Sequence, residues 1–293
     1  MQPTNRPRGG AHSKKKHAVA TATPQKRSLK ENKQQPSKAA HADAPTGLGV
    51  DVIYMTVLLA VAMLLSAGVL QNQIVSIMPS AGQSGVRAGV LFVVYLVELV
   101  GLSYCAYRHR EKFVDFFRLR ISKQEASKQG AQEKKNDSQG ATTLSNGWVS
   151  AAYVIAFLVG LRVLSMLWSL FTQEIGWRIA GASDVVDLFG TTNFGLILTI
   201  VLVVILAPLV EELVFRGLIQ KWLSTRLGMW ASIALTSLLF AMYHLSFWAA
   251  PLNIALGVCT GYLAQKRSTL YPALALHITY NATLVLAAYY LSF

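Results

Sequence analysis

The feature that most constrains this sequence is a series of long apolar runs separated by short polar segments. The runs lie at 52–70, 88–107, 148–171, 194–215, 229–249, 251–265 and 270–291. Most approach the roughly 20 helical residues that cross the hydrocarbon core of a bilayer. Hydrophobic residues make up 53% of the chain and charged residues only 14%, which excludes an ordinary soluble domain. We therefore predict an all-α, polytopic membrane helix bundle with about seven transmembrane spans.

Basic residues are concentrated in two polar segments beside these runs. Residues 1–49 contain ten Lys or Arg against two acidic residues, and residues 108–135 contain nine more. Lys and Arg accumulate on the cytoplasmic side of membrane helices, which predicts a cytoplasmic N-terminus and an outer C-terminus, in the plasma membrane. The same rule explains the net charge of +13 without a specific nucleic-acid partner, and membrane lipid is the expected contact of these segments.

The chain divides into five predicted regions. Residues 1–49 form a basic tail, expected to be disordered because it is too polar to bury a core. Without an apolar signal-peptide region in the tail, the first span is expected to serve as an uncleaved anchor. Residues 50–107 hold two spans, and 108–147 form a basic, mobile cytoplasmic loop. Residues 148–193 hold a third span and an outer loop with an interfacial helix, and 194–291 hold the remaining spans.

A cluster of charge follows a long uncharged run in the fourth span. The segment EELVFRG, 211–217, comes directly after seventeen uncharged residues. An ionised group deep in a bilayer costs roughly 2.5 to 3.5 kcal/mol, so such groups mark function or a structural pair. Glu212 and Arg216 are four residues apart and are predicted to form an ion pair on a helix. Glu211 points about 100° away, which leaves it available for proton exchange. Pro208 is expected to kink or unwind the helix and open a wet cavity.

Two of the six histidines lie within apolar runs, His244 in FAMYH and His277 in HITYN. His277 and Asn281 are four residues apart, so both are predicted to project from one helical face. Taken singly, an intramembrane His or Asn is more often an interhelical hydrogen-bond partner than a catalyst. Together with the acidic segment, these groups could activate a water molecule and stabilise an oxyanion.

The motifs EELVFR, FAMYH and HITYN resemble, in order and spacing, the EExxxR, FxxxH and HxxxN signatures of a known family. This is the CAAX-protease and bacteriocin-processing family of intramembrane glutamic endopeptidases, and the resemblance covers about 194–291. It implies an endopeptidase that cuts membrane-associated proteins or peptides. The roles that it implies are a water-activating base, Glu211; its partner in holding the water, His244; oxyanion stabilisers, His277 and Asn281; and a supporting ion pair, Glu212 and Arg216.

A zinc site is the alternative mechanism for the same residues. Glu211, His244 and His277 could form a three-ligand site with an open position for water. Zinc proteases of the HExxH type place two ligands four residues apart on one helix, whereas here each span offers one candidate. The residue four after His277 is Asn281, a poor zinc ligand. We therefore predict neither a metal nor a cofactor.

Two further functions and two further features remain open at this point. A non-proteolytic scaffold or immunity protein would use the same fold, and a proton-coupled transporter would use the same acids and histidines as a relay.

Outside the motifs, GVCTG at 257–261 predicts close helix packing. Glu98 and Arg162, in the second and third spans, are predicted to pair with one another. Arg162 could instead meet a substrate carboxylate.

Overall fold

The computed structural model describes residues 47–64, 80–119, 146–176 and 189–291, and their regular structure is entirely helical. All of them belong to one compact unit, Ala42–Phe293. These ranges contain eight helices: α1 (Leu48–Leu64), α2 (Ser80–Arg108), α3 (Phe113–Phe116), α4 (Asn146–Glu174), α5 (Asn193–Leu227), α6 (Met229–Tyr243), α7 (Ala250–Arg267) and α8 (Tyr271–Leu291). The predicted disorder of 1–46 and the predicted interfacial helix after residue 176 lie outside the described residues.

The predicted all-α membrane bundle is confirmed, and the described part of each predicted apolar run lies mainly in a single helix. Within that part, α2, α4 and α5 contain stretches that are long and apolar enough to cross a membrane. Two shorter apolar helices occupy Leu48–Ala62 and Met229–Tyr243. The total of seven spans stays a prediction.

The helix α5, which carries the acidic motif, changes its winding on both sides of that motif. Ile200–Leu206 and Leu213–Gln220 are π-helical, and the α-helical turns Ala207–Glu212 lie between them. The predicted unwinding at Pro208 is wrong, because α5 continues through it to Leu227. A π turn shifts hydrogen bonding from the fourth to the fifth preceding carbonyl, which accommodates a residue that lacks an N–H.

The acidic motif lies in the most buried part of α5. Val210, Leu213, Val214 and Leu218 are all essentially inaccessible and belong to the main hydrophobic core. This core also takes residues from every other helix of the described part. The charged side chains of the motif are therefore surrounded by packed apolar groups, where a polar atom needs a partner from the protein.

The segment that follows α2 is packed against the bundle. Phe116 and Phe117 are fully buried, and a Cβ atom at Gly217 would lie only 2.7 Å from the Phe117 ring. Part of the predicted loop over 108–147 is thus packed on the bundle through these aromatic rings, and its mobility stays a prediction. The remainder of that loop, 120–145, lies outside the described residues.

Candidate active site

The imidazole of His277 lies between the two glutamates of the acidic motif. Its Nδ1 donates a hydrogen bond of 2.9 Å to Oε1 of Glu212, and its Nε2 lies 3.7 Å from Oε2 of Glu211. His277 is on α8 and the glutamates are on α5, so the site forms only when these two helices pack. All three side chains are buried, with Glu211 at 7% the most exposed of them.

The predicted ion pair of Glu212 and Arg216 is confirmed. Arg216 Nε lies 3.4 Å from Glu212 Oε2, with both side chains almost completely buried. Arg216 also donates through Nη2 to the carbonyl oxygen of Gly257, at 3.3 Å, and its guanidinium lies 4.5 Å from the centre of the Phe240 ring. Glu212 therefore holds the arginine with one oxygen and the imidazole of His277 with the other.

A second contact of the same kind lies one helical turn further along. Gln220, four residues after Arg216, donates to the carbonyl oxygen of Gly261, four residues after Gly257, at 2.9 Å. A Cβ atom at Gly257 would lie 2.9 Å from Ser237 Cβ. A Cβ atom at Gly261 would lie 2.8 Å from Gln220 Oε1. The close packing predicted from GVCTG is confirmed, because only glycine lets α7 approach α5 and α6 so closely.

Asn281 contacts the π-helical part of α5. Its Nδ2 donates a hydrogen bond of 3.0 Å to the carbonyl oxygen of Val203. In this segment the N–H of Ala207 bonds to the carbonyl five residues earlier, at Leu202. The corresponding donor for Val203 would be residue 208, a proline without an N–H. Asn281 thus supplies the donor that Pro208 lacks, and its amide carries a second N–H for another acceptor.

His244 lies at the C-terminal end of α6, on the more open side of the cluster. Its Nδ1 donates to the carbonyl oxygen of Phe240 at 2.8 Å, which leaves Nε2 as the nitrogen free of that bond. The Phe240 ring lies 4.6 Å from the His244 ring and 5.6 Å from the His277 ring, measured between centroids. His244 is thus linked to the buried cluster through an aromatic ring rather than by a hydrogen bond to Glu211.

The structure brings the predicted residues together in two groups. Glu211, Glu212, Arg216 and His277 form one contiguous polar cluster, and Asn281 faces the same helix one turn beyond His277. His244 stands beside this cluster. Among the described residues, no three His, Cys, Asp or Glu side chains form a group that could hold a metal ion.

Glu98, which was predicted from the sequence to pair with Arg162, also lies near this cluster. Glu98 of α2 does not pair with Arg162, because neither carboxyl oxygen of Glu98 has a hydrogen-bond partner in the described part of the chain. The guanidinium of Arg162 instead lies 5.8 Å from the centre of the Tyr280 ring. Glu98 interacts electrostatically with Glu211. The sequence feature that could have singled out Glu98 is that it is the lone charged residue in the run 88–107.

The fold and the site define a helical integral membrane protein with a buried cluster of carboxylates and imidazole between its helices. Residues 192–283 match the family model described as Type II CAAX prenyl endopeptidase Rce1-like. The matched segment is thus similar to CAAX-type intramembrane proteases, the family whose motifs the sequence resembles, and it contains all six predicted site residues. No curated protein and no solved structure gives a significant match.

Proposed function

We propose that this chain is an intramembrane endopeptidase that hydrolyses peptide bonds of membrane-associated proteins or peptides with a water activated by Glu211. The observation that carries the proposal is the division between the two adjacent glutamates. Glu212 is held by Arg216 and His277, whereas the one ion-pair contact of Glu211 among the described residues is with Nε2 of His277, at 3.7 Å. A carboxylate that is buried but not neutralised by a cation of its own is a suitable general base.

The reaction begins when Glu211 takes a proton from water as the oxygen attacks the scissile carbonyl carbon. His244 helps to hold this water through Nε2, since its Nδ1 is bonded to the carbonyl of Phe240. The negative charge that develops on the carbonyl oxygen is stabilised by the second N–H of Asn281 and by His277, which for this role carries a proton on Nε2 in addition to the one that Nδ1 donates to Glu212. Donors placed for such an oxyanion are worth roughly 2.7 to 4 kcal/mol each in enzymes from which one has been removed.

Glu212 and Arg216 act as positioning residues in this mechanism. The bond from His277 Nδ1 to Glu212, at 2.9 Å, fixes the imidazole so that Nε2 faces Glu211. Arg216 compensates the charge of Glu212, and its bond to Gly257 ties the pair to α7. Loss of Glu212 would release the imidazole and leave Arg216 unpaired, whereas loss of Arg216 would leave the charge of Glu212 unpaired.

The match to a CAAX prenyl endopeptidase model suggests the first substrate class to test. The probe is an internally quenched peptide that ends in a farnesylated Cys-aliphatic-aliphatic-X sequence, offered to the purified protein in lipid nanodiscs. We expect hydrolysis with one oxygen atom from ¹⁸O-labelled water in the new carboxyl group, measured by mass spectrometry. Glu174→Gln, a change at an exposed end of α4, is the matched control and should retain the rate.

Two outcomes would argue for the other functions. A folded protein that leaves the farnesylated peptide and its unprenylated counterpart intact would favour a scaffold or immunity protein. Proton movement into liposomes that depends on Glu211 without any cleavage would favour a transporter. Hydrolysis of the unprenylated peptide at an equal rate would support a peptidase that does not require a prenyl group on its substrate.

We also propose that the protein lies in the plasma membrane with its N-terminus in the cytoplasm. Glu111, three residues beyond the end of α2, and Glu174, the last residue of α4, are exposed, and the charge distribution assigns them to opposite sides. In a background without Cys105 and Cys259, Glu174→Cys should react with an impermeant maleimide in intact cells. Glu111→Cys should react only after permeabilisation. The reverse pattern would invert the topology.

A further inference from the structure

Glu98 is buried on α2, and no described residue is a partner for its charge. Its side chain is 0% exposed, and both carboxyl oxygens lack a hydrogen-bond partner among the described residues. No ion pair within the described ranges involves it, and Arg162 is not its partner. A bare carboxylate is too costly in such an interior, so the neutral acid is the form that suits this position.

At the position of Glu98 on α2, an apolar side chain would give a more stable fold than a carboxyl group. Leu102 and Cys105 follow it at helical spacing, and both are fully buried in the main core. The same inward face of α2 carries Tyr95 one turn earlier, packed against that core. A leucine at 98 would bury favourably here, whereas a carboxyl group needs a compensating role.

The groups around Glu98 indicate what that role is. Glu98, Tyr95 of α2 and Tyr243 of α6 all interact electrostatically with Glu211 of α5. The helix α2 packs on α5 along both Ile200–Leu206 and Ala207–Glu212. Tyr243 directly precedes His244, the predicted holder of the water. Glu98 therefore lies on the helix that packs against the segment of the proposed base, interacts electrostatically with that base and, among the described residues, has no cation paired with it.

We propose that Glu98 is a second catalytic carboxyl group, which donates a proton to the leaving amine when the scissile C–N bond breaks. This inference rests on the proposed function. Glu211 takes one proton from water as the C–O bond forms, and Glu98 gives one proton to the amine nitrogen as the C–N bond breaks. Transfer of the proton from Glu211 to Glu98 then restores both groups. One water is consumed, and one carboxyl group and one amine are formed.

The test compares two leaving groups on the farnesylated probe, the natural amide and an ester at the same bond. An amine leaves only after protonation, whereas an alcohol depends far less on a proton donor. General acids contribute typically 10²- to 10⁴-fold. We expect Glu98→Gln to lower kcat on the amide by about 10²-fold and on the ester by less than about tenfold, with KM nearly unchanged. Glu211→Gln should lose both activities.

Stability separates this role from a structural one. Glu98→Leu removes a buried polar group, so it should unfold at the same or a higher temperature than wild type while it keeps the defect on the amide. Equal loss of amide and ester hydrolysis, or a lower unfolding temperature in both variants, would overturn the role of Glu98 as an acid. Wild-type rates on both substrates would likewise overturn it and leave the proposed function intact. Absence of cleavage by wild type would overturn the proposed function itself.

Discussion

Asn281 donates its side-chain amide to the carbonyl oxygen of Val203 at 3.0 Å, in the register where Pro208 provides no backbone donor. The bond explains why an amide side chain stands at this position of α8. It also means that Asn281 has a structural contact in addition to the role proposed for it at the oxyanion.

The two contributions of Asn281 can be separated with Pro208. Asn281→Ala should reduce kcat by more than it raises KM, and it should lower the free energy of unfolding by about 1 to 3 kcal/mol because the Val203 carbonyl loses its donor. In a Pro208→Ala background a backbone N–H becomes available, so the loss of stability should shrink while the loss of kcat persists. An equal loss of stability in both backgrounds would contradict the proline argument. The measurements are thermal unfolding and steady-state kinetics.

Arg216→Ala should destabilise the protein much more than Glu211→Gln. Removal of the guanidinium leaves Glu212 as an uncompensated buried charge, which typically costs 3–5 kcal/mol. Glu211→Gln changes a side chain without a cation partner of its own and should leave the fold intact. Detergent-solubilised yield and the unfolding temperature measure both effects. If the two variants are equally unstable, the division between a structural and a chemical glutamate is wrong.

The two glycines of α7 should differ in their tolerance of a methyl group. A Cβ at Gly257 would lie 3.0 Å from the backbone Cα of Ser237, whereas the nearest atom at Gly261 is the end of the flexible Gln220 side chain. Overpacking costs typically 1–3 kcal/mol, so Gly257→Ala should lower the unfolding temperature more than Gly261→Ala. Gly160→Ala, with open space around it, is the control and should not destabilise. The opposite order at the two α7 glycines would contradict the packing argument.

Much of the fold and part of the site could be predicted from the sequence. The lengths of the apolar runs predict the helices, because a bilayer allows few other structures. The pairing of Glu212 with Arg216 follows from their spacing on a helix. The bond from Asn281 to Val203 could not be predicted, because it depends on π-helical winding that no local residue pattern specifies.

Contacts between helices were the least predictable part of the site. Spacing along the chain places His277 and Asn281 on one face of a helix. It does not show that Glu212 accepts a hydrogen bond from Nδ1 of His277. Glu98 and Arg162 were predicted to pair only because they carry opposite charges, but Arg162 lies over the Tyr280 ring and no bond joins it to Glu98. The burial of aromatic rings within 108–119 was not predicted, because the basic composition of the surrounding segment favoured an exposed loop.

Chelation should leave the activity unchanged. The proposed mechanism assigns activation of water to Glu211 and stabilisation of the oxyanion to His277 and Asn281, so it needs no metal ion. We expect purified protein to keep its rate on the farnesylated probe after prolonged treatment with EDTA or phenanthroline, with less than stoichiometric zinc by elemental analysis. One zinc per chain, with activity lost on chelation and restored by zinc, would establish a metalloprotease instead.

The most direct test of the central claim is the single-turnover rate of Glu211→Gln on the farnesylated probe, measured beside its unfolding temperature and its affinity for the uncleaved probe. An amide in place of the carboxylate keeps the shape of the side chain and removes its ability to take a proton from water. The account predicts that cleavage is abolished while the unfolding temperature and the affinity stay at the wild-type values. Cleavage by a folded Glu211→Gln protein within about tenfold of the wild-type rate, smaller than the 10²-fold minimum typical of a general base, would contradict it.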